Sequence, residues 1–170
     1  KSFLYGVSLQ RESSDGNFLF QDDNGTPVTN TEDDKIRERR NNDFKKYSST
    51  ALAGFKKKTY SISLHNIFLY KENGIPGMQT NNSIHTRNEI IQNMIYGKSR
   101  VKRIVTSRLQ GSFNLFYSYQ KNTFTDEHDE IGLGNKKDQS SYQTMGGKSV
   151  FEYIMPEIFQ TFRILQSAQK

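Results

Sequence analysis

Residues 101–120 read VKRIVTSRLQGSFNLFYSYQ. From 105 onward the odd positions are Val105, Ser107, Leu109, Gly111, Phe113, Leu115, Tyr117 and Tyr119. The even positions are Thr106, Arg108, Gln110, Ser112, Asn114, Phe116, Ser118 and Gln120. One series is nearly all apolar and ends in tyrosines; the other is nearly all polar. A period of two places successive side chains on opposite faces of a β-strand. The run exceeds the five or six residues of an ordinary globular strand. It fits the roughly 9 to 11 residues that cross a bilayer obliquely, with an overhang. Tyr117 and Tyr119 then suit the aromatic girdle at a membrane interface.

The same alternation recurs along the chain. Phe3, Tyr5, Val7 and Leu9 alternate with Ser2, Gly6 and Ser8, and Tyr47, Ala51, Ala53 and Phe55 with Lys46, Ser48, Thr50 and Gly54. Tyr60, Ile62, Leu64, Phe68 and Tyr70 alternate with Ser61, Ser63 and His65. The pattern is weaker over Ile84 to Tyr96, with Ile90, Met94 and Tyr96 on one face, and weaker again over Val150 to Pro156 and Ile158 to Ile164. Long strands are expected near 1–11, 43–56, 59–70, 84–97, 101–120, 145–155 and 157–167, with a short strand at Asn17 to Gln21. Ile158, Phe162 and Leu165 also satisfy helical spacing, but their context favours a strand.

Connections alternate in length. Glu12 to Asn42, Lys71 to Ser83 and Lys121 to Ser141 read as long loops; Lys56 to Lys58 and Gly97 to Arg100 read as tight turns. Pro156 divides the last segments into a final hairpin. Short turns at one end and long loops at the other are the layout of outer-membrane barrels. The expected fold is therefore all-β: an antiparallel up-and-down meander forming part of a transmembrane β-barrel. Neighbouring strands pair in sequence order, Lys46–Lys56 with Thr59–Tyr70 among them. Val105, Leu109, Phe113, Leu115 and Tyr117 should face lipid, and Arg108, Gln110, Ser112 and Asn114 the lumen.

Composition agrees. The chain has 170 residues, 33% of them hydrophobic, and a mean hydropathy of −0.81. That is poor in apolar residues for a globular core. Twelve Phe and nine Tyr in patterned runs nevertheless argue against disorder. A wall with lipid on one side and water on the other needs apolar residues at only half its positions. No run of about 18 apolar residues predicts a transmembrane helix, and no secretory signal pattern is present. The chain opens at Lys1 inside a patterned segment and closes on Ser167-Ala168-Gln169-Lys170 without a terminal aromatic, as expected of a piece of a longer barrel. Cysteine is absent, which excludes disulfides and thiol chemistry. The net charge of +6 concentrates in Lys35 to Lys46 and Lys56 to Lys58. Acidic Glu32 to Asp34 adjoins the first run and no nucleic-acid-binding motif accompanies it, so both runs are expected as solvated loops or turns rather than a nucleic-acid surface.

No constellation assigns chemistry. His65, His85 and His128 lack the close spacing of a zinc site. Asp126, Glu127, Asp129 and Glu130 lack the calcium-loop pattern, and Asp22-Asp23-Asn24-Gly25 is explained by an Asn-Gly turn. The Asp126 to Glu130 stretch is expected as a solvated loop. Gly132 to Lys137 lacks the phosphate-loop spacing, and no serine lies in a Gly-x-Ser-x-Gly setting. Arg87, Arg103 and Arg108 fall on expected strands. Arg103, on the apolar face, would have to snorkel, which puts the turn at Gly97–Arg100 near a membrane boundary. No catalytic, cofactor or metal residue is assigned, ligand-binding residues stay undefined, and an enzyme is not expected.

Several loops resemble those of one family. Asp15-Gly16-Asn17-Phe18, Gly25-Thr26-Pro27 and Arg40-Asn41-Asn42-Asp43-Phe44 resemble the first barrel hairpins of TonB-dependent outer-membrane receptors. Tyr70 to Gly77 (YKENGIPG), Phe124-Thr125-Asp126 and Glu130-Ile131-Gly132-Leu133-Gly134 resemble later loops of that family. The resemblance runs from Lys1 to about Gly134. It implies a barrel of about 22 strands around a plug, of which this sequence would supply roughly a third. It further implies outer-membrane lipid as surroundings, TonB as energising partner through a region not in this sequence, and a scarce ligand such as an iron–siderophore or cobalamin at the outer loops. A soluble all-β module and an inactive truncated barrel piece are the alternatives.

Overall fold

The computed structural model describes residues 1–22, 35–77, 83–134, 136–155 and 160–169. Among the described residues nine strands follow one another: β1 (Ser2–Ser14), β2 (Phe18–Asp22), β3 (Lys35–Arg39), β4 (Phe44–Lys56), β5 (Tyr60–Gly74), β6 (Arg87–Lys102), β7 (Leu109–Asp126), β8 (Lys136–Met155) and β9 (Gln160–Gln169). Seven form one sheet in the order β1-β4-β5-β6-β7-β8-β9, every pair antiparallel. β2 and β3 form a separate hairpin inserted in the β1–β4 connection. This is the expected all-β antiparallel meander, and β4 pairs with β5 as the alternation required. The last segment is strand rather than helix over Gln160–Gln169; Pro156 and residues 157–159 lie outside the described residues.

Register fixes which residues share a face, because directly opposed residues of antiparallel strands project to the same side. One side collects Phe3, Tyr5, Val7 and Leu9 of β1, and Tyr47, Ala51, Ala53 and Phe55 of β4. It continues through Tyr60, Ile62, Leu64, Phe68 and Tyr70 of β5, and Ile91, Ile95 and Val101 of β6. Leu109, Phe113, Leu115, Tyr117 and Tyr119 of β7 and Met145, Phe151 and Tyr153 of β8 complete it. The other side is mostly polar, with Ser61, Ser63, Lys98, Arg100, Gln110, Ser112, Asn114 and Lys148 among its members. Ile90, Met94 and Tyr96 do share a face, but it is this polar one.

Aromatic rings mark both ends of the apolar face. At the short-turn end Phe3 lies 4.8 Å from Phe55, Phe55 lies 5.6 Å from Tyr60, and Phe113 meets Phe151 edge-on at 5.4 Å. At the other end Tyr47 lies 6.2 Å from Tyr70, with Arg11 5.7 Å over the Tyr47 ring. Between these rows the face is interrupted by Asn66 and Asn93; Asn66 Nδ2 donates to Asn93 Oδ1 at 3.0 Å, which satisfies part of their hydrogen-bonding capacity on this face.

Among the described residues no apolar side chain is buried. Among the described residues each strand of the large sheet contacts its sheet neighbours and no second layer. Leu115 is 66% exposed and Leu64 51%, so the apolar face is bare.

Several strand limits correct the sequence reading. Gly97–Arg100 is not a turn: β6 continues to Lys102, and Arg103–Arg108 makes the reversal. Gly97 looked like punctuation and Lys98 and Arg100 like loop charges. They instead keep the period, Gly97 on the apolar face and the cations on the polar one. Arg103 adopts a left-handed φ of 60°, and Ile104 N–H donates to Leu109 C=O at 3.1 Å to close the turn. Val105, 83% exposed, and Arg108 therefore sit in the turn rather than on strand faces, and Arg103 needs no snorkelling. β5 reaches Gly74, β7 reaches Asp126 and β8 starts at Lys136, all beyond the expected limits. β6 starts later than expected, at Arg87. Outside the apolar band both faces are polar, so the ladder continues where alternation ceases to be visible. The basic run from Lys35 is likewise strand, not loop, as far as Arg39. By contrast, the three-lysine turn forms close to where it was expected, Lys57 N–H donating to Tyr60 C=O at 2.8 Å.

Candidate functional site

At the end opposite the short turns, three connections are tied together by polar contacts. The first element is Asn41, in the segment between β3 and β4. It takes a left-handed φ of 56°, which asparagine tolerates better than most residues. Its Nδ2 donates to Ile75 O (3.0 Å), Thr86 O (2.9 Å) and Ser83 Oγ (3.1 Å). Two residues on, Asp43 accepts from Arg87 Nη1 with both carboxylate oxygens, at 2.8 and 2.7 Å. Gly74 N–H donates to Asp43 C=O at 2.9 Å. A Cβ at Gly74 would collide with the Asn41 carbonyl and side-chain oxygens, so this approach requires glycine.

The second element is Glu130, between β7 and β8. Its Oε2 accepts from Ser83 Oγ (2.7 Å), Ile84 N (2.9 Å), His85 N (2.8 Å), Thr86 N (3.1 Å) and Thr86 Oγ1 (3.0 Å). Oε1 faces His85 Nδ1 at 2.9 Å. An ionised carboxylate only accepts, so Nδ1 must carry the proton and Nε2 is the outward nitrogen. Desolvation pushes this carboxyl up, but hydrogen bonds from Ser83, His85 and Ile84 outweigh it and hold Glu130 well below the usual carboxylate range.

The third element is Asp126, at the end of β7 and 1% exposed. It accepts from Glu130 N (2.9 Å), Ile131 N (2.9 Å) and Gly132 N (3.2 Å). The Glu130 N–H, acting against desolvation and with the Ile131 and Gly132 N–H groups, keeps this carboxyl below its ordinary value. Asp126 thus shapes the turn that presents Glu130. The acidic stretch is therefore not uniformly solvated: Asp126 and Glu130 turn inward as anchors, while Glu127 and Asp129 stay exposed. The Asp followed four to six residues later by its own N–H donors is a local turn signal. The Ser83–Thr86 partner, more than 40 residues away, carries none.

The histidines are rearranged by the same clasp. His85 and His128 come together, ring centroids 4.3 Å apart, at the exposed surface of the loops. His65 lies on the polar face of the sheet, 5.9 Å from Tyr96. Among the described residues no three His, Cys, Asp or Glu side chains converge as a metal ligand set. Asp22 ion-pairs with Arg37 at 2.7 Å across β2 and β3; Asp23, Asn24 and Gly25, where a turn was expected, lie outside the described residues. With its acceptors filled by donors, Glu130 is a clamp rather than a general base. What the arrangement offers is a set of connections clasped at one end of the sheet, an exposed apolar face and a hydrophilic face.

No family model, curated protein or solved structure matches the chain.

Proposed function

We propose that this chain forms wall strands and outer loops of a TonB-dependent receptor in a Gram-negative outer membrane. The observation that carries the reading is the apolar face. It crosses all seven strands, is bounded by aromatics at both ends, and among the described residues nothing lies over it. Tyr60 and Tyr70 are roughly 34 Å apart along β5 at about 3.4 Å per residue. At a strand tilt of about 35–45° that becomes a height of about 25 Å, the apolar band of an outer-membrane barrel. Soluble monomers seldom expose contiguous apolar patches of more than a few hundred Å², whereas lipid covers such a face without a second sheet. The polar face would line a wet lumen, and β1 and β9 would pair with further strands of the barrel. The clasped loops would face outward, where the family resemblance places capture of an iron–siderophore, cobalamin or similar scarce ligand. Plug and TonB contact would come from outside these strands.

The test is substitution by arginine on either face. Leu64→Arg and Leu115→Arg should each cost about 2–4 kcal/mol near the bilayer midplane and reduce the heat-modifiable, membrane-extracted form on gels. Ser112→Arg should leave it unchanged. Equal losses on both faces, or a chain that stays soluble and monomeric without detergent, would rule the reading out.

A further inference from the structure

We infer that the polar face of the sheet carries a binding site for a small multivalent oxyanion of the phosphate class, centred on Asn114 between Lys98 and Lys148. The three residues form one row across β6, β7 and β8: Lys98 opposes Asn114, and Asn114 opposes Lys148. With strands about 4.8 Å apart, the lysine Cα atoms are roughly 10 Å apart. Two side chains of lysine length can bring their ammonium groups together over the asparagine from that spacing. Both lysines are exposed, and among the described residues neither takes part in an ion pair.

Asn114 is the feature that turns a pair of cations into a site. Tyr96, on the same face, donates its hydroxyl to Asn114 Oδ1 at 3.1 Å. That contact occupies the amide's acceptor and fixes its orientation, leaving the Nδ2 hydrogens to project as donors between the lysines. The next row toward the short turns adds Arg100, flanked by Ser61 and Ser112. Glu152, one row beyond Arg100 on this side, accepts from Gln110 Nε2 at 2.6 Å. A preoriented neutral donor between two point charges, with hydroxyls alongside, is complementary to a phosphate group, whose oxygens accept from all of them. Rings of lysine and arginine are also how anion pores select their cargo.

The site needs only the sheet; its location in a lumen rests on the barrel reading. The experiment titrates inorganic phosphate into the full chain folded in detergent, followed by 31P line broadening and calorimetry, with folding checked by far-UV circular dichroism. Saturable binding is expected, about tenfold weaker or lost in Asn114→Asp and in the Lys98→Gln/Lys148→Gln pair. Tyr96→Phe should weaken it severalfold, because the amide is then free to present its oxygen. A Lys57→Gln/Lys58→Gln pair, equally basic but in the turn, should bind like the parent. Undiminished binding in Asn114→Asp, equal loss in the turn control, or no saturable binding by the parent overturns the site. Heat-modifiable migration of the same samples reads the barrel separately, so failure of one proposal is not mistaken for failure of the other.

Discussion

At Glu130 one carboxylate joins two connections far apart in sequence, and its chemistry sets the pH range over which they stay joined. Its folded-state pKa is depressed below the ordinary 4.5. The stabilisation is therefore fully present above that ordinary value and is lost as pH falls through the folded one. Limited proteolysis or hydrogen exchange over 83–86 and 127–134 should be unchanged from pH 7 to 5 and accelerate only as the solution becomes more acid than about 4.5. Glu130→Gln should open the same segments at neutral pH, because an amide offers one acceptor oxygen and adds donors that oppose the Ser83–Thr86 N–H groups. His85→Ala removes the contact to Oε1 and the ring contact with His128 but leaves the bonds to Oε2, and should loosen the clasp less. Protection in Glu130→Gln equal to the parent's would show that the clasp does not order the loops. At Gly16 φ is +62° and a Cβ would overlap the Asn42 carbonyl oxygen. Gly16→Ala should accordingly displace the start of β4, while Gly6→Ala, with open space at Cβ, should change nothing measurable in Tm.

At the level of elements, the β6–β7 hairpin shows what alternation reveals and what it hides. The apolar parity of Leu109 to Tyr119 was plain in the sequence because a strand with one apolar and one polar face alternates with period two. The same logic located β1, β4 and β5 and the turn at Lys57. It failed at Gly97–Arg100, where a glycine and two cations imitated a loop although their parity was intact. It also failed at the strand ends, such as Lys121 to Asp126, where residues of both parities are polar apart from Phe124 and no period is visible. The clasp was illegible for a different reason: Asn41, Ser83 and Glu130 are brought together by the sheet, and no local spacing announces it. Hairpin placement has a direct test. A single-glycine insertion between Ile104 and Val105 should leave the heat-modifiable fold intact, since it lengthens a turn. The same insertion between Lys98 and Ser99 should abolish it, because it shifts every following side chain of β6 to the opposite face. Tolerance at both points would mean β6 ends before Lys98.

For the whole molecule, the question is whether the sheet separates two compartments, and the chain is well suited to answer it. It has no cysteine, so single introduced thiols report without background. Leu133, in the connection between β7 and β8, is 95% exposed, and Val105, in the opposite turn, is 83% exposed. Their side chains are about equally accessible to solvent in the sheet itself, so any difference in labelling comes from what surrounds it. In intact cells carrying the protein in its native setting, a membrane-impermeant maleimide should modify Leu133→Cys and leave Val105→Cys unmodified. After the outer membrane is disrupted both should react, because neither thiol is occluded by the protein. The long loops would then face the medium and the Arg103–Arg108 turn the periplasm, as short turns do in such barrels. If both positions react equally in intact cells, the two ends of β7 share one compartment and the sheet does not cross a membrane. The bare apolar face would then require a protein partner to cover it.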